Sequence, residues 1–225
     1  MKTRMLIPSA IIALLLFILI CENMPAFASD QKLVHGAGTL PHLTSAVTVS
    51  GGVEIPTPIM YALRYDIGLG NRVQLGLAAS VLGGNGWMIG VEVPSMVNIL
   101  KTASDSDFLS FYINPGLFIL DDFLFIDNLT LFLVRPGVAY EHRFGDKHPI
   151  GLYVKVGALM LIGGTINGEF FDLELRPETV IIECRAGLQA LLGKRFSIAL
   201  EPMVYLSPSV GQPFLGGKGA LTWAF

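Results

Sequence analysis

Thirteen charged side chains carry most of the chemistry this sequence can offer, and they share one geometric property. Along runs of alternating apolar residues, the acids Glu54, Asp66, Glu92, Glu141, Glu183 and Glu201 fall on the polar or small-residue positions, never on the bulky apolar ones. The bases Arg64, Arg72, Arg135, Arg143, Lys155, Arg185 and Lys218 do the same. Six acids against seven bases is close to neutral. If that face turns inward, the groups must pair or stay hydrated, because an unpaired buried charge is too costly to keep. The chemistry on offer is therefore electrostatic: a salt-bridged interior that blocks a passage, or a charged passage that selects ions. Arg64, Asp66, Arg135, Glu141, Lys155, Glu183, Arg185 and Glu201 form the expected interior network, with Arg135, Lys155, Glu183 and Arg185 at its centre.

Covalent or acid–base chemistry has weaker support. The four histidines are His35 and His42, ahead of the first strand-like run, and His142 and His148, which flank a short turn. A His-dependent site needs a Ser, Asp or Glu partner at the same end of the fold. The alternation places all four at the short-turn end, away from the longer loops. No H-E-x-x-H, G-x-S-x-G or phosphate-cradling loop occurs. Cys184 lies on an apolar face, where it reads as a small hydrophobe. No catalytic residue, metal ligand set or cofactor is assigned, and the chain is read as a non-enzyme.

The elements that position these charges are strands. From Ile59 to Leu69 the odd positions are Ile, Tyr, Leu, Tyr, Ile and Leu, and the even ones are Met, Ala, Arg, Asp and Gly. That is a period of two. Gly70-Asn71 supplies a two-residue turn, and the pattern resumes through Val73, Leu75, Leu77, Ala79 and Val81. Ten strands are predicted, at about 44–55, 58–69, 72–82, 86–98, 108–120, 129–144, 150–164, 178–192, 195–206 and 214–225. Short polar turns alternate with longer loops, which is the asymmetry of a transmembrane β-barrel with its short side towards the periplasm. The predicted fold is thus all-β: an antiparallel, up-and-down transmembrane β-barrel of about ten strands, with eight or twelve as alternatives. A wide channel needs more strands than that, which favours a closed interior. A helical membrane bundle fits less well, since the longest uncharged run, Val73–Val91, contains Gly83-Gly84-Asn85-Gly86. Pro94, Pro115, Pro136 and Pro202 fall inside predicted strands, where a closed barrel has no edge to excuse a missing N–H.

The chain begins with an export signal: Lys2 and Arg4, an apolar run from Met5 to about Cys21, and Ala26-Phe27-Ala28 before Ser29. The organisation read from this is a signal peptide at 1–28, an N-terminal periplasmic segment at 29–43 and the barrel at 44–225. Removing Lys2, Arg4 and Glu22 leaves 13 basic against 17 acidic residues, a balance that argues against a nucleic-acid partner. Cys184 is the only cysteine after residue 28, so no intramolecular disulfide forms.

Three stretches, "YALRYDIGLGNRVQLGL", "VRPGVAYEHRF" and the terminal "GALTWAF", resemble the small outer-membrane β-barrel proteins of Gram-negative bacteria. The resemblance is to the superfamily and singles out no member. It implies residence in the outer membrane among its lipids, with periplasmic chaperones and the barrel-assembly machinery as partners during biogenesis. Leu221, Trp223 and Phe225 would carry the signal that this machinery reads. The expected role is structural, adhesion-like or narrow-pore transport, with the interior plugged by the salt-bridge network. The rival readings are a soluble periplasmic lipocalin-like barrel that binds an apolar ligand, and an outer-membrane lipid- or peptide-modifying enzyme. The apolar loops "LDDFLFIDN" (120–128) and "GTINGEFFDLELRPE" (164–178) are expected to cap the barrel or to meet a partner outside the cell; Asn167-Gly168 within the second predicts a protruding hairpin.

Overall fold

A computed structural model describes residues 35–54, 57–70, 72–83, 87–102, 104, 106–121, 129–144, 150–172, 180–192, 195–208 and 211–225. The expected signal peptide, His148 and the loop residues 122–128 and 173–178 lie outside the described residues. Among those described there are twelve strands: β1 (Ser45–Glu54), β2 (Thr57–Leu69), β3 (Val73–Gly83), β4 (Trp87–Glu92), β5 (Ser95–Lys101), β6 (Asp107–Asp121), β7 (Leu129–Phe144), β8 (Ile150–Ile166), β9 (Glu169–Asp172), β10 (Val180–Leu192), β11 (Phe196–Leu206) and β12 (Pro213–Ala224). Each pairs antiparallel with its neighbours. The sheet closes because β12 pairs with β1 and β8 pairs with β10. β4 and β5 are two halves of one strand, both running between β3 and β6. β9 pairs only with β8, through the Asn167-Gly168 turn, where both residues have positive φ. Ten strands therefore form the wall, and β8–β9 projects from it as the expected hairpin. Closure gives every strand of the wall two neighbours, which is what hydrocarbon demands of a backbone.

The four prolines sit where the ladders are interrupted. Opposite β6, the pairing runs as far as Glu92 with Gly116 and resumes at Ser95 with Ile113. Pro94 and Pro115 both fall within that one gap. The free main-chain groups around it are still used: Val93 N–H donates to Pro115 O at 2.9 Å, and Gly76 N–H to Pro94 O at 2.7 Å. Pro136 is paired to Ile113 of β6, while on its β8 side the register steps from Val134 to Gly137. Pro202 is paired to Gly217 of β12, and on its β10 side the pairs step from Arg185–Met203 to Leu188–Leu200. Pro115, Pro136 and Pro202 thus each interrupt the ladder on one side only, whereas Pro94 interrupts it on both, because the β3 ladder also breaks between Ala78–Glu92 and Leu75–Ser95. On the β6 side Pro94 and Pro115 share one gap.

Alternation decides which face meets which medium. Leu63, Leu77, Ile89, Val97, Val154, Leu188, Leu200 and Leu221 are exposed on the outside, while Asp66, Gln74, Glu141, Glu183, Gln189 and Glu201 are buried inside. A lipocalin-like barrel has the reverse arrangement, with apolar groups in and charges out. The wall strands are long enough for a bilayer: β2, β6, β7 and β8 have 13, 15, 16 and 17 residues, against the roughly 9–11 that a tilted strand needs to span.

Glycines in the wall make room for aromatic rings in the lumen. The Tyr112 ring lies on Gly137 and Gly157 of the next two strands, and the Tyr153 ring lies on Gly187. A Cβ at any of these positions would collide with the ring. Aromatic cover over strand glycines restores packing that a bare backbone lacks. Gly137→Val is expected to displace Tyr112 and destabilise the barrel by about 1–3 kcal/mol. The check is the urea midpoint of barrels refolded in lipid vesicles, where an unchanged midpoint would contradict this packing.

Candidate functional site

The lumen is filled in three tiers, and the lowest is made by the chain's own N-terminal segment. Residues 35–44 run through the short-turn end of the barrel: His42 and Leu43 stay exposed at its mouth, while the stretch from His35 to Leu40 lies inside, with Ala37 and Leu40 fully buried. The segment has no regular structure, so its backbone groups need partners from the wall. Glu141 supplies one carboxylate oxygen to two of them: Ala37 N–H and Gly38 N–H both donate to Oε2 at 2.7 Å. Leu40 N–H donates to Gln74 Oε1 at 3.0 Å, and His35 N–H to Gln189 Oε1 at 3.0 Å. Ala37 O accepts from Ser110 and Asn98. Glu141 is held in turn by Arg143 Nε at 2.6 Å and Gln189 Nε2 at 2.7 Å. Gly36 and Gly38 press against Glu141 and Arg143 with no room for a Cβ.

The middle tier is a charged belt. Glu201, almost completely buried, is its hub: Lys218 Nζ lies 2.9 Å and Arg185 Nη1 3.2 Å from its Oε1, and Lys155 Nζ lies 3.6 Å from its Oε2. Arg185 Nε also reaches Glu183 at 2.6 Å. Over β6, Arg135 Nε on β7 faces Glu92 on β4 at 3.5 Å. Arg64 holds Asp66 through two bonds of 2.7 and 2.6 Å, and Gln74 Nε2 donates to the same carboxylate. His35 approaches this belt from below, its Nε2 2.6 Å from Thr222 Oγ1. Burial, with Lys155 and Lys218 close by, pushes its imidazole down to about 3, so the ring is neutral at physiological pH.

The upper tier is apolar. Phe118, Leu120 and Leu133 pack with Met88, Leu129, Leu131 and Leu159 on the lumen side towards the longer loops. Between this tier and the N-terminal segment lies a cavity of about 330 Å³.

The residues proposed from sequence as one interior network fall into three groups. Arg135, Lys155, Glu183, Arg185 and Glu201 lie in the middle belt. Arg64 and Asp66 form their own pair. Glu141 sits a tier lower and serves the N-terminal segment. Sequence reasoning centred on charge passed over Gln74, Asn98 and Gln189, whose signal is a long polar side chain on the small-residue face beside a short turn. It also left Glu92, Arg143 and Lys218 out of the network. Of the histidines, His42 Nδ1 accepts from Gly70 N–H, and His142 Nδ1 lies 2.8 Å from Asp107 Oδ1. Ser106 Oγ donates to Asp107 rather than to His142, so that cluster activates no hydroxyl. No group of three or more His, Cys, Asp or Glu among the described residues is placed to hold a metal ion. Leu221 is exposed on the outer face, and Trp223 stacks between Phe196 and Phe225 with centroids 6.4 and 4.7 Å away. Phe225 exchanges both main-chain hydrogen bonds with Ser45.

No protein-family model and no curated protein matches the chain. Among solved structures, it is similar to the NanC porin at a TM-score of 0.48 and 10% identity, covering 79% of this chain and 98% of that one. An outer membrane channel from Pseudomonas putida F1 matches at 0.47 and 10%, over 87% and 100%. The N-terminal β-barrel domain of Pseudomonas aeruginosa OprF matches at 0.38 and 9%, over 83% and 100%. At such scores no function is transferred.

Two outcomes follow for the lowest tier. Glu141→Ala strands two buried amides and takes one partner each from Arg143 and Gln189, and should weaken docking of residues 35–44 by about 3–5 kcal/mol; hydrogen exchange at the amides of Ala37 and Gly38 reads this directly. His35 has a folded pKa below its unfolded value, so its contribution is complete above about 6.5 and declines as pH falls towards 3. The loss is about 1.4 kcal/mol per pH unit. Its charged surroundings are Lys155, Lys218, Arg64 and Glu201. Exchange in the segment, corrected for intrinsic rates, should accelerate from pH 6 to 5 in the native chain and stay flat there in His35→Gln. Equal slopes in the two would remove His35 from the mechanism.

Proposed function

We propose that this chain is an integral outer-membrane β-barrel closed by its own N-terminal segment, a structural or adhesion-like component rather than a diffusion pore. The observation that carries the reading is the seating of residues 35–44 inside the lumen on Glu141, Gln74 and Gln189. The segment lies across the path any solute must take, and the ion pairs of the middle belt line that path above it. The apolar exterior supports lipid as the surrounding medium. Leu221, Trp223 and Phe225 are proposed as the feature by which the assembly machinery recognises the last strand. Trp223 is already packed against Phe196 and Phe225 on the outer surface, an aromatic group of the kind found at membrane interfaces.

Cell fractionation and conductance test this in sequence. The protein should sediment with outer membranes and migrate faster unheated than boiled on a gel; recovery as a soluble periplasmic protein without a heat-dependent shift would overturn the membrane assignment. In planar bilayers the native barrel should show no stable openings, whereas Glu141→Ala should open intermittently. Steady ion-selective conductance of the native chain would make it a pore.

A further inference from the structure

The closed lumen retains the cavity of about 330 Å³ above the segment, and its lining is divided by chemistry. Its upper wall is apolar, built by Leu82, Met88, Phe118, Leu131, Leu133 and Leu159. Its lower wall is cationic: Arg64, Arg135, Lys155, Arg185 and Lys218 line it against only two acids, Glu92 and Glu183. Glu201, which neutralises three of these bases, is hidden behind them with its side chain 1% exposed. The cations are unequally satisfied. Arg64, Arg185 and Lys218 have carboxylate oxygens at 2.6–2.9 Å. Arg135 and Lys155 have theirs only at 3.5 and 3.6 Å, beyond good hydrogen-bond length; Arg135 Nε and Arg185 Nε both lack a well-aligned hydrogen-bond partner, but only Arg185 has its carboxylate in close contact. Arg135 also stands 5.8 Å from the centre of the Phe118 ring, at the border of the apolar wall.

From this we infer that the cavity is a binding site for an anionic amphiphile with one short acyl chain. The carboxylate takes up the unused donors of Arg135 and Lys155, and the chain lies against Phe118, Leu131, Leu133 and Leu159. The volume lies at the lower limit of small-molecule sites, roughly 300–1,000 Å³. That admits a medium-chain fatty acid and excludes a two-chain phospholipid. A small inorganic anion would leave the apolar wall uncovered, and a neutral chain would leave the cations unanswered. The site rests on the closed-barrel reading, since the N-terminal segment forms its floor through His35 and Gly36.

The test uses the full exported chain in phosphatidylcholine nanodiscs, with partitioning into empty discs subtracted. Decanoate should bind saturably at one site per barrel, decanol at least about tenfold more weakly, and inorganic phosphate not measurably. Lys155→Gln and Arg135→Gln should each weaken decanoate about tenfold, the scale of one charge-assisted hydrogen bond. Arg135 also balances Glu92, so its variant is informative only where the heat-dependent gel shift persists. Lys155→Gln and the decanoate–decanol comparison on the native chain stand without it. Failure of decanoate to saturate, equal affinity for decanol, or an unaltered Lys155→Gln overturns the site. If the barrel is folded and non-conducting but binds nothing, the site alone is lost; if it conducts steadily, the closed-barrel reading falls with it.

Discussion

Closure of the sheet between β12 and β1 is the constraint from which the rest of the molecule follows. Nine consecutive pairs, from Ala46–Ala224 to Glu54–Gly216, join the two ends of the wall, and Phe225 adds two main-chain bonds to Ser45 beyond them. A closed ladder has no free edge, and it leaves each side chain only two places to go. Charges on one parity are committed to a narrow interior where water is scarce. They must then find partners on neighbouring strands, as Glu201 does with Arg185 on β10, Lys218 on β12 and Lys155 one strand further on β8.

The interior answers that demand differently at each height. Near the short turns, long amides and one carboxylate bind a backbone; at mid-height, carboxylates bind cations; near the longer loops the lining needs no partners because it is apolar. This grading matters energetically. A buried ion pair is a weak stabiliser once desolvation is counted, yet removing one partner is expensive. The belt is therefore better understood as fixing which strands face one another than as a source of net stability. The apolar tier and the exterior supply the favourable burial.

Much of the wall was legible in the sequence because its signal is local. The alternation at 59–69 and 73–81 sets the strand, the face and the turn together; the observed β2 differs from its predicted span by one residue at its start, and β3 by one residue at each end. The prolines were legible as a problem but not as a solution. That Pro94 and Pro115 share one gap depends on the register between β5 and β6, which no single segment encodes. Which face points outward was equally hidden, since a period of two is the same for either choice. The lowest tier was the least accessible. Nothing in His35-Gly36-Ala37-Gly38 is periodic, and its partners lie 61 or more residues away, at Asn98, Ser110, Glu141 and Gln189. Gln74 and Gln189 carry no charge to draw attention, and their role emerges only when the lumen brings them opposite a bare backbone.

The seating of the N-terminal segment also bears on how the seam finds its alignment. β1 and β12 are rich in small residues, with Gly51, Gly52, Gly216, Gly217 and Gly219 facing one another or nearly so, and such ribbons slide easily. A slip of two residues keeps every side chain on its proper face and so is invisible to the inside–outside rule. It would nevertheless carry the chain preceding Ser45 along by about 7 Å, drawing Ala37 and Gly38 away from the single oxygen of Glu141 that binds both. The segment seated in the lumen thus doubles as a gauge: only one alignment of the first and last strands leaves it the right length to reach its anchor.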